Sequence, residues 1–186
     1  TGAEIKAWLE AAAKRFNKIS ITATADQQLI GTFPGYNFDM FTTPDVQYEI
    51  DVTQEVGSRI QNLTYLGASI DPAKEFVIAT NNYRATSGKS FIAKLDGSSA
   101  IWASPDANRD VVIGYVRKKG SITRAANGAA KSWRFTKVAT SANVVFSSGA
   151  NALPVAQAAG LANISLVAAD DGSGKGTSKY RLDLSK

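Results

Sequence analysis

Apolar residues recur at helical spacing over the first sixteen positions, where Ile5, Trp8, Leu9, Ala12 and Phe16 fall on one stripe. Thr1-Gly2-Ala3-Glu4 precedes the stripe and has the form of a capping box, in which a Thr hydroxyl and a Glu carboxylate satisfy each other's free amide groups. The two signals predict a helix that opens at Thr1. A chain opening directly on a helix cap is expected to have been cut away from a preceding segment. After Asn17 the periodicity is lost. Residues 17–44 form an irregular stretch broken by Gly31, Pro34 and Gly35 and rich in aromatics (Phe33, Tyr36, Phe38, Phe41). A connection of that length inside a compact domain is usually functional.

The period then changes to two. Val46, Tyr48 and Ile50 alternate with Gln47, Glu49 and Asp51, the pattern of a half-buried strand. Residues 60–65 and 68–70 flank Leu66-Gly67 and predict a hairpin. The apolar run 76–79 predicts a strand covered on both faces, and the polar stretch 81–89 a loop leaving it. Residues 109–119 place Val112, Ile113, Tyr115 and Val116 on one side of a helix, with Gly120 at its stop. Short strands are predicted at 133–138, 144–146, 164–168 and 180–184, with a small helix near 154–159. The fold class that follows is α+β: one domain over residues 1–186, a mixed β-sheet and two or three helices.

Composition narrows the chemistry. The 186 residues are 44% hydrophobic, enough for one sizeable core. No apolar run approaches the roughly 18 residues needed to span a bilayer, and no charged start precedes an apolar stretch as in a signal peptide. The chain has no Cys and no His. Disulfides, thiolate metal sites and Ser-His-Asp or Cys-His catalysis are therefore excluded within it. A net charge of +5 admits an anionic partner, but the 21 basic residues are scattered. Arg117, Lys118 and Lys119 read as the solvated, dipole-compatible end of a helix rather than a nucleic-acid track. Gly172-Ser173-Gly174-Lys175-Gly176-Thr177 fails the phosphate-loop pattern, because Gly rather than Ser or Thr follows the Lys. It reads as a hairpin turn. Asp170-Asp171 lacks the spacing of a calcium loop.

Two segments stand out together: Pro34-Gly35-Tyr36-Asn37-Phe38-Asp39, and Ala79-Thr80-Asn81-Asn82-Tyr83-Arg84-Ala85-Thr86-Ser87-Gly88-Lys89. With them go Tyr48-Glu49-Ile50-Asp51-Val52-Thr53, Arg59-Ile60-Gln61-Asn62-Leu63, Ala103-Ser104-Pro105-Asp106-Ala107-Asn108-Arg109 and the terminal Leu182-Asp183-Leu184-Ser185-Lys186. In this order the strings resemble the C-terminal domain of the 5'-nucleotidase family, in its bacterial 2',3'-cyclic-nucleotide 2'-phosphodiesterase/3'-nucleotidase group. The match is good to about residue 138 and loose beyond.

That resemblance implies a nucleotide-binding domain that works beside an N-terminal metallophosphoesterase domain absent from this chain. The absent domain would hold two divalent metal ions and the catalytic groups. The chain itself is expected to be inactive alone, with no catalytic or metal-binding residue and no cofactor. The implied partners are a nucleotide or nucleoside and the catalytic domain, with no membrane or specific nucleic acid. The implied location is the periplasm or cell envelope. By position, Tyr36 and Tyr83 would sandwich the base, an arrangement that tolerates different bases because each has a π face. Asn82 and Arg84 would fix the base edge or sugar, and Gly88 would allow close backbone approach. Lys89 stands where related 5'-nucleotidases carry an Asp for the ribose hydroxyls. A 2',3'-cyclic phosphate has no free hydroxyl pair, so a basic residue suits it better. Two other readings remain for the residues alone: a non-catalytic binding module of the cell envelope, and a basic nucleic-acid-binding domain.

Overall fold

The computed structural model describes residues 1–35, 38–87, 97–128 and 130–186. The first helix, α1 (Gly2–Ala13), opens as the sequence predicts. The Thr1 hydroxyl accepts from the Glu4 amide, and the Glu4 carboxylate binds back to the N-terminal residue. The helical stripe is buried, with Ile5, Trp8, Leu9 and Ala12 all packed inside. Phe16 lies beyond the helix end and instead forms an isolated antiparallel bridge with Ile30. Its ring stays in the core.

Strands β1 (Gln27–Gln28), β2 (Val46–Ile50), β3 (Ile60–Tyr65) and β4 (Ala68–Ser69) follow. In β2 the apolar positions Val46, Tyr48 and Ile50 are buried and Gln47 is exposed, as the alternation requires. The predicted hairpin is present between β3 and β4, paired through Thr64–Ser69 and Tyr65–Ala68. Leu66 and Gly67 both take positive φ (52° and 81°), as a two-residue turn matched to strand twist demands. The second half contributes α2 (Asn82–Ser87), α3 (Asn108–Lys119), α4 (Arg124–Asn127), β5 (Trp133–Phe135), β6 (Val144–Gly149), α5 (Ala152–Ala158), β7 (Ile164–Ala168) and β8 (Thr177–Leu182). Gly120, at φ 70°, closes α3 at the predicted stop.

The α+β class holds, while the single expected sheet is two. One runs β4-β3-β2-β5 and the other β1-β6-β8-β7. Each is mixed, because β5 joins β2 and β1 joins β6 in parallel while the other pairings are antiparallel. Five helices are present among the described residues, against two or three expected. The core gathers α1, β2, β3 and the segment around Ile19 and Leu29, with Val144 arriving from the second sheet and Leu184 from the turn just after it. The run at 76–79 is not a strand: among the described residues it pairs with none, and Val77 is 81% exposed. Its neighbours Phe76 and Ile78 do pack against the core. Residues 71–74 serve instead as a brace for α1, whose first amides donate to carbonyls there (Gly2 to Lys74 and Ala3 to Pro72, each 3.0 Å).

Two buried charges fasten the far end of α1. Glu10 accepts three backbone amides from the turn into β3: Gly57 and Arg59 on one oxygen (3.1 Å each) and Ile60 on the other (2.7 Å). Arg59 donates to the carbonyls of Ala13 and Phe16 at 2.9 and 2.6 Å, placing a cation at the helix C-terminus where the dipole favours it. Burial lowers the pKa of this guanidinium, and Glu10 chiefly opposes the shift.

Candidate functional site

The irregular segment between α1 and β2 is held at several points. The Arg15 guanidinium donates to the carbonyl of Gly31 (2.9 Å) and to that of Phe33, and the same group lies beside Gly35. Two residues past Tyr36, the Phe38 ring enters an aromatic cluster. It meets Phe16 at 5.4 Å and Trp133 at 5.4 Å, both edge-on, the geometry that aromatic quadrupoles favour. Phe41 sits edge-on to Trp8 at 6.1 Å. Of the aromatics that mark this segment, Phe38 and Phe41 are thus anchors. Tyr36 itself lies outside the described residues, as do Gly88 and Lys89.

The stretch expected to be a loop from residue 81 is a short helix through Ser87. Its composition is polar, but Asn81 starts it: the Asn81 side-chain oxygen accepts the Arg84 amide at 2.8 Å, the capping role that Asn fills well. Asn82 is exposed at the first helical position, and its carbonyl accepts the Thr86 hydroxyl at 2.9 Å. Tyr83 is 59% exposed. The Arg84 guanidinium stands 5.5 Å from the centre of the Tyr83 ring, a cation–π distance.

Arg84 also crosses to the other segment. Its Nε donates to Asp39 Oδ1 at 2.8 Å, with the two side chains only 14% and 23% exposed. The second Asp39 oxygen accepts the Trp8 indole N–H at 2.9 Å. One carboxylate therefore ties together α1, the segment that carries Tyr36 and the helix that carries Tyr83. Beside it lies a cavity of about 400 Å³, within the range of small-ligand sites. Trp8, Phe38, Phe41 and Ile78 supply apolar wall, and Asp39, Thr80, Asn81 and Arg84 supply polar groups.

The structure thus brings together the two sequence segments that stood out, and it gives Arg84 a first partner on the protein. Trp8, Asp39 and Asn81 are residues the sequence reading did not single out as part of the site. Asp39 and Asn81 were inside the two conspicuous strings, so the signal was present; Trp8 was concealed by its place on the helical stripe. No group of three or more Asp or Glu residues converges on a possible metal position among the described residues. With His and Cys absent from the sequence, the residues described here do not fit a divalent-metal centre. Likewise no helix among them is long and apolar enough to cross a membrane.

The model of the 5'-nucleotidase C-terminal domain matches residues 1–95. The chain is 40% identical, over 72% of its length, to a 2',3'-cyclic-nucleotide 2'-phosphodiesterase/3'-nucleotidase of Yersinia enterocolitica, covering 22% of that protein. It is 36% identical, over its whole length, to the Salmonella typhimurium protein of the same description, covering 31% of it. It is 33% identical over 98% of its length to a trifunctional nucleotide phosphoesterase of Bacillus subtilis, covering 13%. The chain spans at most about a third of the length of these curated relatives. No solved structure matches it.

Proposed function

Because the chain belongs to the 5'-nucleotidase C-terminal domain family, we propose that residues 1–186 form the nucleoside-gripping domain of a phosphoesterase acting on 2',3'-cyclic nucleotides and 3'-nucleotides. In this reading an N-terminal metallophosphoesterase domain holds the metal ions and performs the hydrolysis in the periplasm or cell envelope. Such ions would lower the pKa of bound water and stabilise the displacement. The described residues of this chain do not fit them, and no step of that chemistry is assigned to it. Its contribution is orientation and proximity.

The base stacks between Tyr36 and Tyr83. The observation that carries this is the Asp39–Arg84 pair at 2.8 Å. It joins a residue three positions after Tyr36 to the residue directly after Tyr83, at the edge of a cavity of ligand size. The described flanks of the segment that carries Tyr36 are anchored (Arg15 against Gly31 and Phe33, Phe38 in its ring cluster), which supports the reading. The exposure of Tyr83 supports a ring available to a ligand. Asn82 at the exposed start of its helix suits a polar contact to base edge or sugar. Gly88 allows close approach of the backbone, and Lys89 favours the cyclic phosphate.

The test is Tyr83→Ala in the full-length phosphoesterase. Loss of one stacking face, about 1–3 kcal/mol, raises KM about tenfold or more and changes kcat much less. An unchanged KM refutes the sandwich.

A further inference from the structure

Arg84 invites the assignment that basic residues near nucleotides usually receive, a contact to phosphate or sugar. The geometry points elsewhere. We propose that Asp39 and Arg84 are positioning residues for Tyr83: the carboxylate holds the guanidinium against one face of the phenol ring, and the base takes the other. This rests on the nucleoside-binding reading above and deepens it.

The observations form a chain of contacts. The Trp8 indole N–H fixes one Asp39 oxygen at 2.9 Å, which leaves the carboxylate little rotation. The other oxygen receives Arg84 Nε at 2.8 Å. Both side chains are largely withdrawn from water, so solvent screens the pair less than it would an exposed one. The Asn81 cap fixes the backbone of Arg84 itself through its amide at 2.8 Å. The guanidinium so placed stands 5.5 Å from the Tyr83 ring centre. Arg suits this task better than Lys, because its planar fork can pair with a carboxylate and lie against a ring at once. A tyrosine at 59% exposure would otherwise sample several rotamers. Holding it in one reduces the ordering cost that a stacking ligand must meet.

Two classes of role separate by ligand. A residue that only orients Tyr83 affects every ligand carrying the base by the same factor. A residue that touches phosphate affects nucleotides and spares the nucleoside. The experiment is calorimetric titration of the 186-residue chain with adenosine, 3'-AMP and 2',3'-cyclic AMP, for the wild type, Asp39→Asn, Arg84→Ala, Arg84→Lys, the Asp39→Asn/Arg84→Ala double variant and Tyr83→Ala. Thermal unfolding checks that each variant folds, and Arg84→Lys stands in if Arg84→Ala does not.

Asp39→Asn and Arg84→Ala are each expected to weaken all three ligands about fivefold, the scale of one solvent-exposed cation–π contact. The double variant is expected to be no weaker than Arg84→Ala alone, since both changes remove one device. Arg84→Lys should lose less. Loss confined to the two phosphate-bearing ligands overturns the proposal in favour of direct phosphate contact, and additive losses overturn it as well. If Tyr83→Ala binds adenosine like the wild type, the stacking reading itself falls. Absence of adenosine binding by the wild-type chain at millimolar concentration removes both.

Discussion

Glu10→Gln tests how α1 is fastened to the sheet. Glu10 is 7% exposed, and its carboxylate accepts three backbone amides. Glutamine has nearly the same shape but replaces one oxygen by a donor. If its oxygen faces Gly57 and Arg59, its NH2 group meets the Ile60 amide head-on where a 2.7 Å bond had been. In the opposite orientation two bonds are lost instead of one. The better orientation still gives up one charge-assisted bond, about 1.5–3 kcal/mol, and leaves a buried amide unmatched. It also removes the anion that offsets the cost of burying the Arg59 charge. These effects overlap, so the expected loss is about 2–4 kcal/mol rather than their sum. For a chain of this size that lowers the thermal midpoint by roughly 6–12 °C. Urea denaturation at neutral pH, followed by circular dichroism, measures the free energy through the midpoint and slope. A loss below about 0.5 kcal/mol, the range of ordinary surface changes, refutes the idea that this carboxylate organises the turn.

Other expectations can be checked with the same protein. Gly2→Ala would drive a methyl group into the carbonyl oxygen of Asp71, which is fixed backbone; a loss of about 1–3 kcal/mol is expected, and an unaltered melting temperature refutes the close contact. Asp171 is held well below the usual carboxylate range by the Thr177 hydroxyl first, then the Ser173 and Ser147 hydroxyls and the Ser173 amide. A depressed carboxylate stabilises the fold above its unfolded pKa of about 3.9 and loses that contribution as pH falls toward the folded value. Between pH 5 and 2 the melting temperature of the wild type should accordingly drop further than that of Asp171→Asn; parallel curves would show that the turn does not hold the carboxylate.

The parts of the fold written in local chemistry were legible. The capping box and stripe located the start of α1, alternation located β2, and Leu66-Gly67 located the hairpin turn. Most of the errors share a cause: they depended on a partner remote in the sequence. The apolar run at 76–79 shows hydrophobicity but not the strand it would need beside it, and none of the described strands pairs with it. Two sheets rather than one follow from the parallel joins of β1 to β6 and β5 to β2, which leave no mark at either end. The short helix after Asn81 was hidden by polar composition, although the cap was in plain view. At the site, the paired strings indicated two segments that meet through Asp39 and Arg84. That Asp39 would meet both Trp8 and Arg84 was not readable, because a carboxylate in a loop has no periodicity to betray its neighbours. Glu10 was equally silent, as a charged residue on a helix ordinarily faces water.

The two parallel joins carry a consequence for how this molecule can be divided. Each sheet contains strands from both halves of the chain, so a piece ending near residue 95 would keep β2, β3 and β4 but leave β2 with a raw edge and β1 with no sheet to enter. The stretch holding α3, by contrast, buries no helical residue. A protease nick there would sever the polypeptide while the β2–β5 and β1–β6 ladders still stitched its halves together. Severing the chain and dismantling the domain are therefore separate events.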